Sequence, residues 1–155
     1  MNRRIVRSLV ASFVLAIALA APGLAHAAAP AFVQTIDAQS VVNDGNTLTL
    51  TVSAAGVAAG DTVLVVGSKG VDDAAIASVT DSKGNVYTVD KQLHGPGGTG
   101  MSTTVVSGYM ANGLAPGDTI TIQYEGTASY SNKIGAAYEF SGIAGNDIPR
   151  AREAF

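Results

Sequence analysis

The chain contains no cysteine among its 155 residues, and histidine is almost as scarce. Disulfide bonds, a lipid anchor on a cysteine and the usual zinc ligand sets are therefore excluded, and a hydrophobic core or a hard metal ion must hold the fold. Of the two histidines, His26 falls in an N-terminal leader, which leaves His94. No G-x-S-x-G motif presents a serine nucleophile, so we interpret His94 as an exposed loop residue rather than a catalytic base.

Tryptophan is absent as well, and aromatic residues make up only 6% of the chain. Carbohydrate-binding surfaces usually depend on exposed aromatic side chains. Tyr130, in the segment "TASYSN", is the one aromatic residue that we expect outside a strand. It is the candidate ligand contact, although a single surface tyrosine is also commonplace.

Basic residues are few, and three of them belong to the leader. The chain has nine basic and twelve acidic residues, so loss of Arg3, Arg4 and Arg7 leaves six against twelve, a formal charge of −6. Nucleic-acid binding draws most of its affinity from clustered lysine and arginine. Nucleic acid is therefore excluded as a partner.

Residues 1–27 have the pattern of a secretory signal peptide. The basic segment "MNRRIVR" precedes the apolar run "SLVASFVLAIALAA", and "LAHA" supplies the A-x-A cleavage pattern. The apolar run is shorter than the roughly 20 residues that span a bilayer. We predict cleavage after Ala27, no membrane span after cleavage, and a secreted protein that is extracellular, on the cell surface or in the periplasm.

After the leader, hydrophobicity alternates with period two, which is typical of half-buried strands. About eight short strand-like segments follow one another, among them "FVQTID", "TLTLTVS", "DTITIQYE" and "KIGAAYEFS". "TVLVVG" is apolar on both faces, which suggests a central strand covered on each side. Alternation predicts these inward side chains: Leu48, Leu50, Val52, Ile120, Ile122, Tyr124, Ile134, Ala136, Tyr138 and Phe140. The fold class is all-β, an antiparallel β-sandwich over residues 28–145 with a tail at 146–155.

Two segments are nearly alike, "AAGVAAGDTVLVV" at 54–66 and "ANGLAPGDTITIQ" at 111–123. Gly60 and Gly117 would supply the bend, and the aspartates that follow them can accept bonds from turn amides. We interpret both segments as the same sheet-to-sheet corner used twice. In "SVTDSKGNVYTV" the turn residues instead predict a tight β-hairpin, with Gly84 at positive φ.

A resemblance follows from "VTDSKGNVYTVD", "LAPGDTITIQY" and "AAYEFSGI". Together they resemble uncharacterised secreted or surface β-sandwich modules of bacteria and their phages, over most of residues 47–143. The resemblance implies an immunoglobulin-like or jelly-roll-like sandwich, often attached to larger extracellular proteins, and brings no catalytic motif. It also implies further strands after "YEFSGI", so we expect that the sandwich lacks C-terminal strands.

Carboxylates are the remaining candidates for chemistry. Glu125 and Glu139 could form a glycosidase pair on neighbouring strands, although alternation places both on the outward face. Asp44, in the turn "NDGN", and the pair Asp72 and Asp73 offer oxygen ligands for a structural calcium ion. Plain turn chemistry also explains these three aspartates, and neither loop has the spacing of an EF-hand.

The sequence thus favours a secreted, non-enzymatic module with an adhesive, structural or glycan-contact role and no cofactor except a possible calcium ion. The alternatives are a self-assembling fibre or surface-layer subunit and a glycan-active enzyme. The segment "IAGNDIPRAREAF" offers no alternating strand to lie beside "KIGAAYEFSG". We therefore expect an uncovered C-terminal edge strand that allows self-association, and an extracellular glycan or protein as the other possible partner.

Overall fold

A computed structural model describes residues 29–43, 45–70, 74–95, 100–126 and 131–143. The leader, the tail and the three calcium candidates lie outside this part of the chain, as does Tyr130. The described residues form eight strands and no helix. The strands are β1 (Ala31–Asn43), β2 (Thr47–Thr51), β3 (Thr62–Lys69), β4 (Ile76–Asp81), β5 (Tyr87–Leu93), β6 (Ser102–Tyr109), β7 (Thr119–Tyr124) and β8 (Ser131–Ser141).

Two antiparallel sheets make up the sandwich, which confirms the predicted fold class. One sheet has five strands in the order β1-β8-β3-β6-β5, and the other has three in the order β2-β7-β4. The first strand pairs with the last and the second with the seventh. This nested order differs from the strand order of an immunoglobulin sandwich.

The core lies between the sheets and follows the predicted alternation on β2 and β7. Leu50, Ile120 and Ile122 are fully buried, while the threonines between them face outward. As expected for "TVLVVG", β3 is the middle strand of the five-stranded sheet, but the three-stranded sheet covers only one of its faces, so the expected cover on both sides is wrong. Its inward residues Val63 and Val65 are also fully buried.

The inward face predicted for β8 is wrong. Lys133, Ala137 and Glu139 face the core, whereas Ile134, Ala136, Tyr138 and Phe140 face away from it. The cause is the close approach of the opposite sheet, whose large side chains touch the β8 backbone. A Cβ atom on Gly135 would lie 2.6 Å from Ile122 Cδ1 and 2.8 Å from Leu48 Cδ2. A side chain is therefore excluded at Gly135, and the large apolar residues of β8 lie on its outer face.

The expectation that the C-terminal strand has an uncovered backbone edge is also wrong. β8 pairs with β1 on one side and with β3 on the other, so both of its backbone edges are used. The long strand β1 supplies the pairing that we had expected from strands after β8. The edges of the five-stranded sheet are β1 and β5 instead.

The predicted hairpin at "SVTDSKGNVYTV" forms a different connection. Its turn chemistry is confirmed, because Gly84 has a φ of +74° and Asp81 Oδ1 accepts the Lys83 amide at 2.8 Å. However, β4 belongs to the three-stranded sheet and β5 to the five-stranded one, so the turn crosses between sheets. Turn residues specify a reversal of the chain but not which strand the next segment pairs with.

Both predicted corners are confirmed. The first connects β2 to β3 and the second connects β6 to β7, so each crosses from one sheet to the other. Gly60 and Gly117 have φ of +93° and +85°. The corners also pair with each other, through Val57 and Leu114.

Candidate functional site

The outer face of the five-stranded sheet, here called the apolar face, exposes large hydrophobic side chains. Phe32 is 58% exposed, Leu93 59% and Ile134 41%. Phe32 and Phe140 form an edge-to-face pair with ring centroids 5.7 Å apart. The outward apolar residues are Phe32, Val42, Leu64, Val66, Leu93, Val105, Tyr109, Ile134, Ala136, Tyr138 and Phe140.

The apolar face carries almost no charge. Its three inner strands, β8, β3 and β6, present only uncharged outward residues, and β5 adds the outward Lys91 and has Asp90 at its register irregularity. The other outward residues of the inner strands are small or polar: Thr62, Ser68, Thr103, Ser107 and Asn132. This surface has the composition of a contact site rather than of a solvated sheet face.

The outer face of the three-stranded sheet, here called the threonine face, has the opposite character. Thr49, Thr121 and Thr80 are register neighbours across β2, β7 and β4. The remaining outward residues are also small or hydrogen-bonding: Thr47, Thr51, Ser78, Thr119 and Gln123. Water satisfies the hydrogen-bonding groups of such side chains, so the threonine face is suited to solvent. The apolar face is the one outer face of the sandwich that is suited to burial.

The edge strands are poorly suited to pairing with another chain. β1 has register irregularities next to Val33 and Ile36, and β5 has one at Asp90. Asp37 on β1 accepts a hydrogen bond from the Thr51 backbone amide at 2.8 Å, so this donor on the edge strand β2 is already used. Burial raises the pKa of Asp37, but hydrogen bonds from backbone amides and from the Gln39 side chain outweigh that effect and lower the pKa. Bulges and charges of this kind block edge-to-edge association.

A polar network is buried where β1 and β8 meet the first corner. Glu139, predicted to be outward, is only 2% exposed. Its carboxylate accepts the Gln34 side-chain amide at 2.6 Å and the Ala58 backbone amide at 2.8 Å. Gln34 in turn donates to the Gly56 carbonyl at 2.6 Å and accepts from Ser53 at 3.1 Å. The network attaches the corner to the five-stranded sheet.

Asp61 completes this network with a second carboxyl group. Partial burial, a hydrogen bond with Glu139 and the negative charge of Glu139 together raise the pKa of Asp61. The nearby negative charge and the partial burial both disfavour the ionised form of the Asp61 carboxyl group. Because Glu139 is buried, a substrate cannot reach it, and we assign the pair a structural role.

Asp118 occupies the equivalent position in the second corner and has a different environment. It accepts the Ala115 amide at 2.7 Å and forms an ion pair of 3.2 Å with Lys83. The amide bond is the main cause that lowers its pKa, with Ser82 and Lys83 adding to the effect. One repeated Gly-Asp sequence therefore supplies one carboxyl group with a raised pKa and one with a lowered pKa.

Two fully buried lysines lie at the opposite end of the sandwich. Lys69 and Lys133 are register partners on β3 and β8. Lys69 Nζ donates to Asn46 Oδ1 at 3.0 Å and to the Glu125 carbonyl at 3.4 Å. The loops that carry Asp44, Asp72 and Asp73 adjoin the described residues at this end.

The carboxylate pair considered for glycoside hydrolysis is not assembled. The Lys69 contact places Glu125 at the lysine end, whereas Glu139 pairs with Val63 at the other end of β3. At about 3.3 Å per residue, six residues of strand separate these ends by roughly 20 Å. A glycosidase pair needs roughly 5 to 9.5 Å. His94 is exposed, as predicted, and its Nε2 lies 3.0 Å from the Gln92 amide nitrogen.

The described residues contain no cluster of three or more histidine, aspartate or glutamate side chains placed to hold a metal ion. The calcium hypothesis lies outside that part of the chain and stays a prediction, as does the ligand contact at Tyr130. Among the same residues, no helix has the length and hydrophobicity needed to cross a membrane.

Comparison with known proteins gives no significant match, whether to a protein-family model, to a curated protein or to a solved structure. The functional argument therefore depends on this chain's own surfaces. Sequence reasoning missed the apolar face because it assigned the hydrophobic residues of β8 to the core. The signal that could have found it is Lys133-x-Gly135-x-Ala137-x-Glu139, whose small central residues suit a closely packed inner face.

Proposed function

We propose that the chain is a secreted, non-enzymatic β-sandwich module with an extracellular adhesive or structural role, and that it acts through the apolar face. The secretion step depends on the leader pattern of residues 1–27. The resemblance to bacterial and phage surface modules supports the same setting. A glycan contact at Tyr130 is a further part of this proposal.

The apolar face is the single observation that carries the proposal. Monomeric proteins rarely expose a contiguous apolar patch larger than a few hundred Å² unless the patch is used for binding. Here apolar side chains on all five strands share one face, and Phe32, Val42 and Leu93 are each more than half exposed. Contact with another apolar surface would remove this area from water.

The alternative functions receive less support from the described residues. A glycan-active enzyme would need Glu125 and Glu139 together, and they lie at opposite ends of the sandwich. A fibre built by edge extension would need an open edge. The edge strands β1, β4 and β5 have register irregularities, and on the remaining edge strand, β2, the Thr51 amide donates to Asp37. Assembly through a face is therefore favoured over assembly through an edge.

Cross-linking from the two outer faces tests the proposal. Because the chain has no cysteine, Val66→Cys provides a unique attachment point for a photo-activated cross-linker on the apolar face. Thr121→Cys is the matched control, since it lies outward on the middle strand of the three-stranded sheet. We expect a covalent product from position 66 and none from position 121 when the exported protein is irradiated with the cells that produce it. No product from either position would contradict the proposed function.

A further inference from the structure

We propose that the apolar face packs against the same face of a second copy of this chain, so that the exported protein is a face-to-face dimer. This inference rests on the proposed function of that face and names its partner. Apolar sheet faces can be buried against another sheet, which then lies about 10 Å away. In the dimer, the five-stranded sheet of the second copy would cover the outer face of the five-stranded sheet of the first.

The charge distribution favours a second copy over a charged partner. The outward residues of β8, β3 and β6 include no side chain that is charged at neutral pH, so the centre of this face has no charge with which to recognise a basic or acidic surface. The chain as a whole is acidic, with a formal charge of −3 that becomes −6 without the leader arginines. Two copies therefore repel each other through their net charge, and salt should strengthen the dimer by screening that repulsion.

The size of the face is sufficient for a stable pair. Five strands about 4.8 Å apart, with eight residues at about 3.3 Å each, cover roughly 600 Å². Two copies would bury roughly 1,200 Å², which is the lower end of the range for specific protein interfaces. A reversible dimer that dissociates on dilution is the expected result.

The symmetry of such a dimer makes Val66 its most informative residue. A two-fold interface brings the same patch of both copies together, and residues at the centre of the patch meet their own equivalents. β3 is the middle strand of the sheet, and Val66 lies midway along it on the outward side. Its register neighbours on the same face are Val105 and Ala136. Val66 of one copy should therefore lie close to Val66 of the other.

The segment that follows β8 also contacts the apolar face. Thr62 Oγ1 donates to the Ile143 carbonyl at 3.4 Å, and Thr62 is only 3% exposed although it belongs to the outer face. The chain therefore covers this corner of the face itself. Farther from that corner, Val42 and Leu93 on the two edge strands are more than half exposed, and Val66 at the centre is partly exposed.

The test measures the mass of the processed, exported protein in solution, with three variants. Val66→Lys and Val66→Glu place like charges opposite each other in the dimer, and Thr121→Lys adds a charge to the threonine face as the control. We expect wild type and Thr121→Lys to have twice the monomer mass at high concentration, and each Val66 variant to have the monomer mass. An equal mixture of the two Val66 variants should recover the doubled mass, because opposite charges then meet. Added salt should raise the dimeric fraction of wild type.

Three results would overturn the dimer. The first is a wild-type protein that stays monomeric at the highest soluble concentration, and the second is a doubled mass that both Val66 variants retain. The third is a mixture of the variants that stays monomeric although each is folded by circular dichroism. If position 66 then cross-links to a different macromolecule, the dimer is wrong and the proposed function stands. If position 66 cross-links to nothing, the dimer and the proposed function are both wrong.

Discussion

Val57 and Leu114 pair with each other through two backbone hydrogen bonds, of 2.8 Å and 3.0 Å, and each holds the same place in one of two similar corners. The two corners therefore form one small antiparallel unit at an end of the sandwich. Further backbone bonds join Gly60 to Met110 and Gly117 to Val52, each between 2.8 and 3.0 Å. The resemblance between the two sequences reflects a shared structural task.

Replacement of Gly56 tests how closely the corners must approach. Gly56 has a φ of +71°, and a Cβ atom there would lie 2.8 Å from the Leu114 carbonyl oxygen. Gly56→Ala should cost about 1–2 kcal/mol for the left-handed backbone and about 1–3 kcal/mol more for the crowding. Gly84→Ala is the matched control, because Gly84 has a φ of +74° and nothing within 4 Å of its Cβ position. Equal losses in the free energy of unfolding would show that the corners are not closely packed.

The repeated aspartates predict opposite pH dependences. The pKa of Asp61 is raised, so the folded state holds more protons than the unfolded state as pH rises above about 3.8. Stability therefore falls with increasing pH through that window, and Asp61→Asn should remove this fall. Asp118 has a lowered pKa, so its contribution is present above about 3.8 and is lost as pH falls through its folded value. Asp118→Asn should therefore destabilise the protein at neutral pH and have little effect in strong acid.

Urea unfolding of both variants between pH 3 and pH 7 checks this pair of predictions. The difference in stability between Asp61→Asn and wild type should grow in favour of the variant as pH rises. The same pH trend in both variants would contradict the assigned environments.

Much of the fold could be predicted from the sequence, because turns and alternation are local signals. All eight strand segments and both corners were predicted. The pairing of β1 with β8 could not be predicted from local signals, because it joins Phe32 to Phe140, which are more than a hundred residues apart in the sequence. The sheet crossing after Asp81 also depends on distant partners, because β7 pairs with β4 and β6 pairs with β5.

The candidate surface was harder to predict than the fold. Alternation identifies a buried face only when the other face is polar, and β8 has apolar residues on the face that points outward. Its inner face instead carries Gly135 and Ala137 between the buried groups Lys133 and Glu139. The hydrogen bonds that make burial of Glu139 possible come from Gln34 and Ala58, which the sequence pattern does not connect to it.

Export should remove the leader. We expect the exported protein to begin at Ala28, because "LAHA" ends in the A-x-A pattern that signal peptidase recognises. Mass spectrometry of the exported protein measures its first residue directly. Retention of residues 1–27 would contradict both the cleavage and the secreted role.

Calcium binding is tested by thermal unfolding. If Asp44, Asp72 and Asp73 bind calcium in the native state, millimolar calcium should raise the melting temperature relative to chelator. Asp72→Asn should reduce that rise. Equal melting temperatures in calcium and in chelator would dismiss the site.

The central claim is that the apolar face is open on the single module, and two neighbouring valines test it most directly. Val65 faces the core and is fully buried, whereas Val66 faces outward on the same strand. The measurement is the free energy of unfolding of Val65→Lys and Val66→Lys in dilute solution, where the protein is monomeric. Val66→Lys should change it by about 1 kcal/mol or less, while Val65→Lys should cost about 4 kcal/mol or more because it buries a charge. A loss at Val66→Lys as large as that at Val65→Lys would show that the face is interior to the monomer, and the account would be wrong.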